Sequence, residues 1–146
     1  MNVRDSEAVA ALLTAAGHVK TQDEDEAELV IVNSCTVRDK AEQKAIGKSG
    51  NMIARKRDGT KRLVGLMGCA VKRMGRDVFK VLPGLDFAVG PRRFGAIPRL
   101  VARCMAGETN LLEVAGDDEV PQNLDAHEVR GFKAFVTVLL GCDNRC

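Results

Sequence analysis

Residues 28–35 read ELVIVNSC, and TVRD follows at once at 36–39. Leu29 to Val32 is a continuous apolar run, mostly β-branched, which predicts a buried strand. Thr36 with Asp39 three positions on is a variant of the capping box, so a helix is expected to start at Thr36 or Val37. The same grammar returns downstream. RLVGLMGC, residues 62–69, is a second apolar strand ending on cysteine, and AVKRMGRDVFKVL then reads as helical up to Pro83. Strand then helix, twice over, predicts an α/β domain: an open parallel sheet flanked by helices, with right-handed crossovers.

The rest of the chain fits around these two units. Val9, Leu12, Leu13 and Ala16 recur at helical spacing, with Asp5 or Ser6 as the cap and Gly17 as the stop. No strand stands before that helix, so the unit is expected to take its first strand from upstream of Met1. The helix after Cys35 is expected to run to about Arg57, interrupted or frayed at GKSGN, residues 47–51. DFAVG, residues 86–90, predicts a third strand. In RFGAIPRLVARCMAG, Ile97, Leu100, Val101 and Cys104 share one helical face, and Pro98 is tolerable only near the helix start. NLLEVA, residues 110–115, predicts an edge strand. Residues 116–131 are polar, acidic and contain Pro121, as a linker would, and FKAFVTVLLG then opens a fresh strand. The expected organisation is an α/β domain over 1–115, a linker over 116–131, and the start of another domain over 132–146.

A chain of 146 residues with 45% hydrophobic content can bury a sizeable core, which excludes general disorder. No apolar run reaches the roughly 20 residues needed to span a bilayer, and the N-terminus is polar and charged. A cytoplasmic location is the expectation. The net charge of +2 does not by itself announce nucleic acid. Cations do cluster, at Arg55–Arg62, at Lys72–Arg76 and at Arg92–Arg93, although most such runs are solvated faces.

Five cysteines in a chain with cytosolic features make a disulfide framework a poor reading. Cys35 and Cys69 each end a strand and precede a helix. In an open parallel sheet the C-terminal strand ends form one edge, and ligands bind there. Helix N-termini at that edge favour thiolate, the form that binds metals and iron–sulfur clusters. Ligation and simple burial as small hydrophobes both remain open for this pair. Two ligands do not complete a site, since zinc or a cluster takes three or four. Cys104 lies on an apolar helical face and reads as core. Cys142 and Cys146 follow a strand and a glycine as C-x-x-x-C, a weak motif alone.

Several stretches together resemble one family: MNVRDSE, VNSCTVRDKAEQKAIG, LMGCAVKR, AVGP and FVTVLLGCDNRC. In order and spacing they resemble the methylthiotransferases of the radical S-adenosylmethionine superfamily, and NSCTVRDKAEQK looks like the MiaB-type branch that acts on tRNA. The resemblance implies an N-terminal methylthiotransferase α/β domain followed by the first strand of a radical S-adenosylmethionine barrel at 132–146. It implies two [4Fe–4S] clusters and S-adenosylmethionine as cofactors. Cys35 and Cys69 match two of the three cysteines that hold the auxiliary cluster. Cys142 and Cys146 match the first two cysteines of the barrel's C-x-x-x-C-x-x-C. The missing member of each set is expected outside residues 1–146, so this piece alone is expected to be inactive.

The implied reaction adds a methylthio group to C2 of N6-isopentenyladenosine beside the anticodon. The implied partners are the tRNA anticodon loop and a flavodoxin- or ferredoxin-type electron donor, with no membrane, and the complete protein as a monomer. Sister enzymes acting on threonylcarbamoyladenosine in tRNA or on a ribosomal-protein aspartate are the alternatives within the class. Asn33, Ser34 and Gly68 are expected to shape the auxiliary site, and the basic stretches at 55–62 and 72–76 to meet tRNA phosphates. Outside the enzyme class stands a non-catalytic α/β binding module, against which no G-x-G-x-x-G or P-loop is present. A thiol-redox or zinc protein is weakened by the lack of C-x-x-C.

Overall fold

The computed structural model describes residues 2–35, 39–56 and 62–114. Helix α1 spans Asn2–Ala15, strand β1 Leu29–Ser34, helix α2 Asp39–Lys56 and strand β2 Leu63–Gly68. Helix α3, Cys69–Met74, passes through a single 3-10 turn into helix α4, Val78–Val81. Strand β3 is Phe87–Val89, helix α5 Ile97–Met105 and strand β4 Leu111–Glu113. The four strands form one sheet in the order β1-β2-β3-β4, and every pairing is parallel.

Alternation of side chains along each strand divides the core into two layers. One holds Ala45, Met52 and Ile53 of α2 with Val71 and Val78 of α3 and α4, packed on Val64, Leu66 and Ala88. The other holds Val9 of α1 and Ile97, Leu100, Val101 and Cys104 of α5, packed on Met67, Phe87 and Val89. Phe87 is fully buried, and a side chain of that size contributes about 2–3 kcal/mol by leaving water. Its ring lies across Gly65 of the neighbouring strand, where a Cβ would come within 2.3 Å of it. That close approach requires glycine at 65.

Three local expectations change in the folded chain. Helix α1 starts at Asn2, so Asp5 lies within its first turn and is not its cap. Burial pushes the Asp5 carboxyl above its ordinary value, against the pull of Arg4. Helix α2 runs unbroken through 47–51. Ala45, Met52 and Ile53 bury against the sheet on both sides of the two glycines, and that packing outweighs a glycine cost of about 1 kcal/mol each. The segment after Cys69 breaks at Gly75, whose φ of 54 no continuing helix adopts. The capping pair Thr36 and Asp39, the linker at 116–131 and the strand at 132–146 fall wholly or partly outside the described residues.

The crossovers are not all of one hand. Helices α2, α3 and α4 lie on one face of the sheet and α5 on the other, while the strands advance in one direction. The β3–β4 connection therefore has the opposite hand to the two before it, a rare arrangement. Placing α5 on that face covers Phe87, Val89 and Met67.

Candidate metal centre

Strands β1 and β2 pair in parallel from Leu29↔Leu63 to Ser34↔Gly68. Cys35 is the residue after β1, and Cys69, the residue after β2, opens α3. The pairing therefore brings both residues to one rim, at the ends of neighbouring strands whose axes lie about 4.8 Å apart. Cys69 is exposed and Cys35 half-buried, and both are thiols.

Short-range chemistry fixes the two strand ends against each other. The Ser34 hydroxyl, buried, donates to the Met67 carbonyl at 2.7 Å. Gly68 has φ +109, and a Cβ there would sit 2.2 Å from the Ser34 carbonyl oxygen. Only glycine lets β2 end this close to β1 and turn at once into α3, which begins at Cys69. Asn33 donates from Nδ2 to the Ser6 hydroxyl at 3.1 Å, which docks the start of α1 on the same rim. Asn33, Ser34 and Gly68 thus join β1, β2 and α1 at this rim.

The third described cysteine is far from this rim. Cys104 lies near the end of α5, which brings its Sγ 3.9 Å from the Asp86 carbonyl at the start of β3. It is buried in the core. Burial, with Asp86 adding to it, pushes its thiol up to about 11. Cys142 and Cys146 lie outside the described residues. Among the described residues no group of three or more His, Cys, Asp or Glu stands close enough to hold a metal ion.

The described cations of the basic stretch at 55–62, Arg55, Lys56 and Arg62, are engaged away from the rim. Lys56 donates to both Asp86 carboxylate oxygens, at 2.6 and 2.7 Å, and to the Gly84 carbonyl at 3.1 Å. Arg62 is buried and clasps the chain before β1 through the carbonyls of Ala27 and Asp25. Arg55 pairs with Asp25. These cations hold the opposite, N-terminal edge of the sheet together, a role that charge counting along the sequence cannot see. On the rim side Arg73 pairs with Glu42, while Lys72 and Arg76 are exposed. Sequence reasoning missed Glu113, which ends β4 and gathers Arg93 at 2.6 Å and Arg99 at 3.2 Å. The Gly-Pro-Arg-Arg turn after β3 was its only signal.

The model of the uncharacterized protein family UPF0004 matches residues 1–90. The tRNA-2-methylthio-N(6)-dimethylallyladenosine synthase of Geobacter metallireducens is 40% identical over 148 residues, covering 100% of this chain and 33% of that protein. The proteins of the same name from Dictyoglomus thermophilum and Desulfosudis oleivorans are 31% and 35% identical, again over 100% of this chain. The chain spans about a third of the length of these curated relatives. No described helix is long and apolar enough to cross a membrane. With the family match over most of its length and the parallel α/β sheet described above, the chain belongs to family UPF0004, the N-terminal domain of methylthiotransferases.

Proposed function

We propose that this chain is part of a cytoplasmic tRNA methylthiotransferase in which Cys35 and Cys69 hold an iron–sulfur cluster. The observation that supports the reading is the Ser34↔Gly68 register, which ends two neighbouring parallel strands together just before Cys35 and Cys69, at the edge where open α/β sheets bind ligands. The donor set suits the group: thiolates are the usual ligands of iron–sulfur clusters. Cys69 is exposed and Cys35 half-buried. The names of the relatives support tRNA as the substrate.

In this reading Cys142 and Cys146 belong to a second cluster that works with S-adenosylmethionine. Together the two [4Fe–4S] clusters and S-adenosylmethionine would supply the sulfur, the radical chemistry and the methyl group for C2 of N6-isopentenyladenosine. The chain's own contribution is ligation and positioning. The Ser34 hydroxyl and Gly68 hold the strand ends at fixed spacing, and the Asn33–Ser6 bond locks α1 beside them. Lys72 and Arg76, exposed after Cys69, would contact phosphates of the anticodon stem-loop. A flavodoxin- or ferredoxin-type protein would supply electrons, and the complete protein would act as a monomer.

Two measurements test this. Mass spectrometry of tRNA nucleosides from a strain lacking the gene should show loss of the methylthio group from isopentenyladenosine. Loss confined to threonylcarbamoyladenosine, or unchanged tRNA with an altered ribosomal protein, would move the substrate to a sister enzyme. Anaerobic iron and sulfide analysis of the full-length protein should show two clusters, reduced to one by Cys35→Ala or Cys69→Ala. Unchanged iron in both variants would remove these cysteines from the site.

A further inference from the structure

The two strand ends beside Cys35 and Cys69 lead into helices with unequal anchorage. Helix α3 begins at Cys69 itself, and its next two residues, Ala70 and Val71, are fully buried. Apolar packing therefore holds its first turn to the core. Helix α2 begins at Asp39, but the first of its described side chains to be buried is that of Ala45. Lys40, Gln43 and Lys44 are exposed, and Ala41 and Glu42 are half-buried. The apolar grip of α2 on the sheet, through Ala45, Met52 and Ile53, thus starts more than a turn beyond the end nearest Cys35.

A polar contact meets that end. Arg73, on α3, donates from Nε to one Glu42 carboxylate oxygen at 3.3 Å and from Nη2 to the other. Two parallel bonds between planar groups fix orientation as well as distance. Glu42 lies in the first turn of α2 with its side chain only 14% exposed, while that of Arg73 is 52% exposed. A pair with one partner half in water adds little to global stability, so its effect is local. Cys69 and Arg73 stand four positions apart on α3 and share a helix face. Helical side chains lean toward the helix N-terminus, which for Arg73 is the rim end.

We infer that Glu42 and Arg73 are a positioning pair for the proposed cluster. Their double bond ties the loosely anchored first turn of α2 to the firmly anchored start of α3. It thereby fixes the spacing of the Cys35 and Cys69 turns from the helix side, as the Ser34 hydroxyl does from the strand side. The inference rests on the reading of Cys35 and Cys69 as ligands. The pair is neutral overall, so it braces the site without adding charge to it. That property separates a brace from an electrostatic role. Removing either partner opens the brace, whereas the charge left behind is positive in one case and negative in the other.

The test follows iron release to a chelator, without oxygen, from the full-length protein carrying its clusters, with urea unfolding of each variant alongside. Glu42→Gln and Arg73→Gln should each release the iron of one cluster about 10-fold faster or more, as for other groups that orient metal ligands. The exchanged protein, Glu42→Arg with Arg73→Glu, restores an opposite-charge pair and should return to within about 2-fold of the parent. Urea midpoints of the single variants should stay at the parent value. Unchanged release in both single variants would overturn the inference, as would opposite changes in the two, or no recovery on exchange. Faster release that only tracks a fall in the urea midpoint would overturn it too, because it reports loss of fold. Cys69→Ala is the control. If it lacks one cluster while both glutamine variants behave as the parent, the brace alone fails. If it keeps every cluster, the ligand reading fails and the brace falls with it.

Discussion

The two edges of this sheet use the same residue types to opposite ends. At the N-terminal edge Asp86, Lys56, Arg62 and Cys104 are spent on each other and on backbone groups. Asp86 accepts from Lys56 and also from the Val64 N–H at 2.6 Å. Cys104 is sealed in the core. At the C-terminal edge the polar backbone work is done by Ser34, Asn33 and a glycine, with Cys69 exposed and Cys35 half-buried beside them. A cysteine or a cation therefore has no fixed meaning in this fold. Its edge decides whether it is sealed among partners in the fold or stands nearer the surface.

The strongest way to break this contrast is activity. In the full-length protein Cys35→Ala and Cys69→Ala should each lower tRNA methylthiolation at least about 100-fold, while Cys104→Ala leaves it within about 2-fold. Quantifying methylthiolated nucleosides after complementation would check it, and an active Cys69→Ala protein would remove the distinction between the edges. Stability should follow the reverse pattern. Asp86→Ala leaves the Lys56 ammonium and the Val64 N–H without their acceptor, and should cost about 3–5 kcal/mol. Urea unfolding measures this, and a loss under about 1 kcal/mol would show the N-terminal edge to be a dispensable surface pair.

Gly68→Ala sharpens the comparison because it joins stability to site geometry. A Cβ 2.2 Å from the Ser34 carbonyl, on a residue with φ +109, forces the strand ends apart. The expected cost is about 2–3 kcal/mol, with a parallel fall in bound iron in the full-length protein. Full iron content in a stable Gly68→Ala protein would uncouple the two.

The smallest effect concerns thiol chemistry. At pH 8 a thiol with a pKa of about 11 is thiolate in only about one molecule in a thousand. Among Cys35, Cys69 and Cys104, iodoacetamide followed by peptide mapping should modify Cys69 first and Cys104 last. Because the folded state holds the Cys104 proton more tightly than the unfolded state, its contribution to stability is complete below about pH 9. It is lost as pH rises towards 11. Cys104→Ala should flatten that alkaline decline, and an unchanged pH profile would contradict the burial argument.

Much of the fold was legible because its signals are local. The runs at 29–32 and 63–67 are almost continuously apolar, and the face Ile97, Leu100, Val101 and Cys104 keeps helical period. Cys35 and Cys69 were legible as a pair because each closes a strand of the same grammar. What was not legible depended on partners distant in sequence. The roles of Arg62 and Lys56 are set by the carbonyl of Ala27 and the carboxylate of Asp86, which no window around 55–62 contains. The continuity of α2 through its glycines came from the sheet beneath it.

By itself the sequence determined where strands and helices alternate, which faces are apolar, and that two cysteines end neighbouring strand units. These follow from residue periodicity and steric preference, which act over a few positions. Only the tertiary structure decided that Ser34 stands beside Gly68, that β1 has an open side, and which edge each cation and thiol occupies. Strand register and order are fixed by packing and hydrogen bonds between segments tens of residues apart, and no local pattern encodes those.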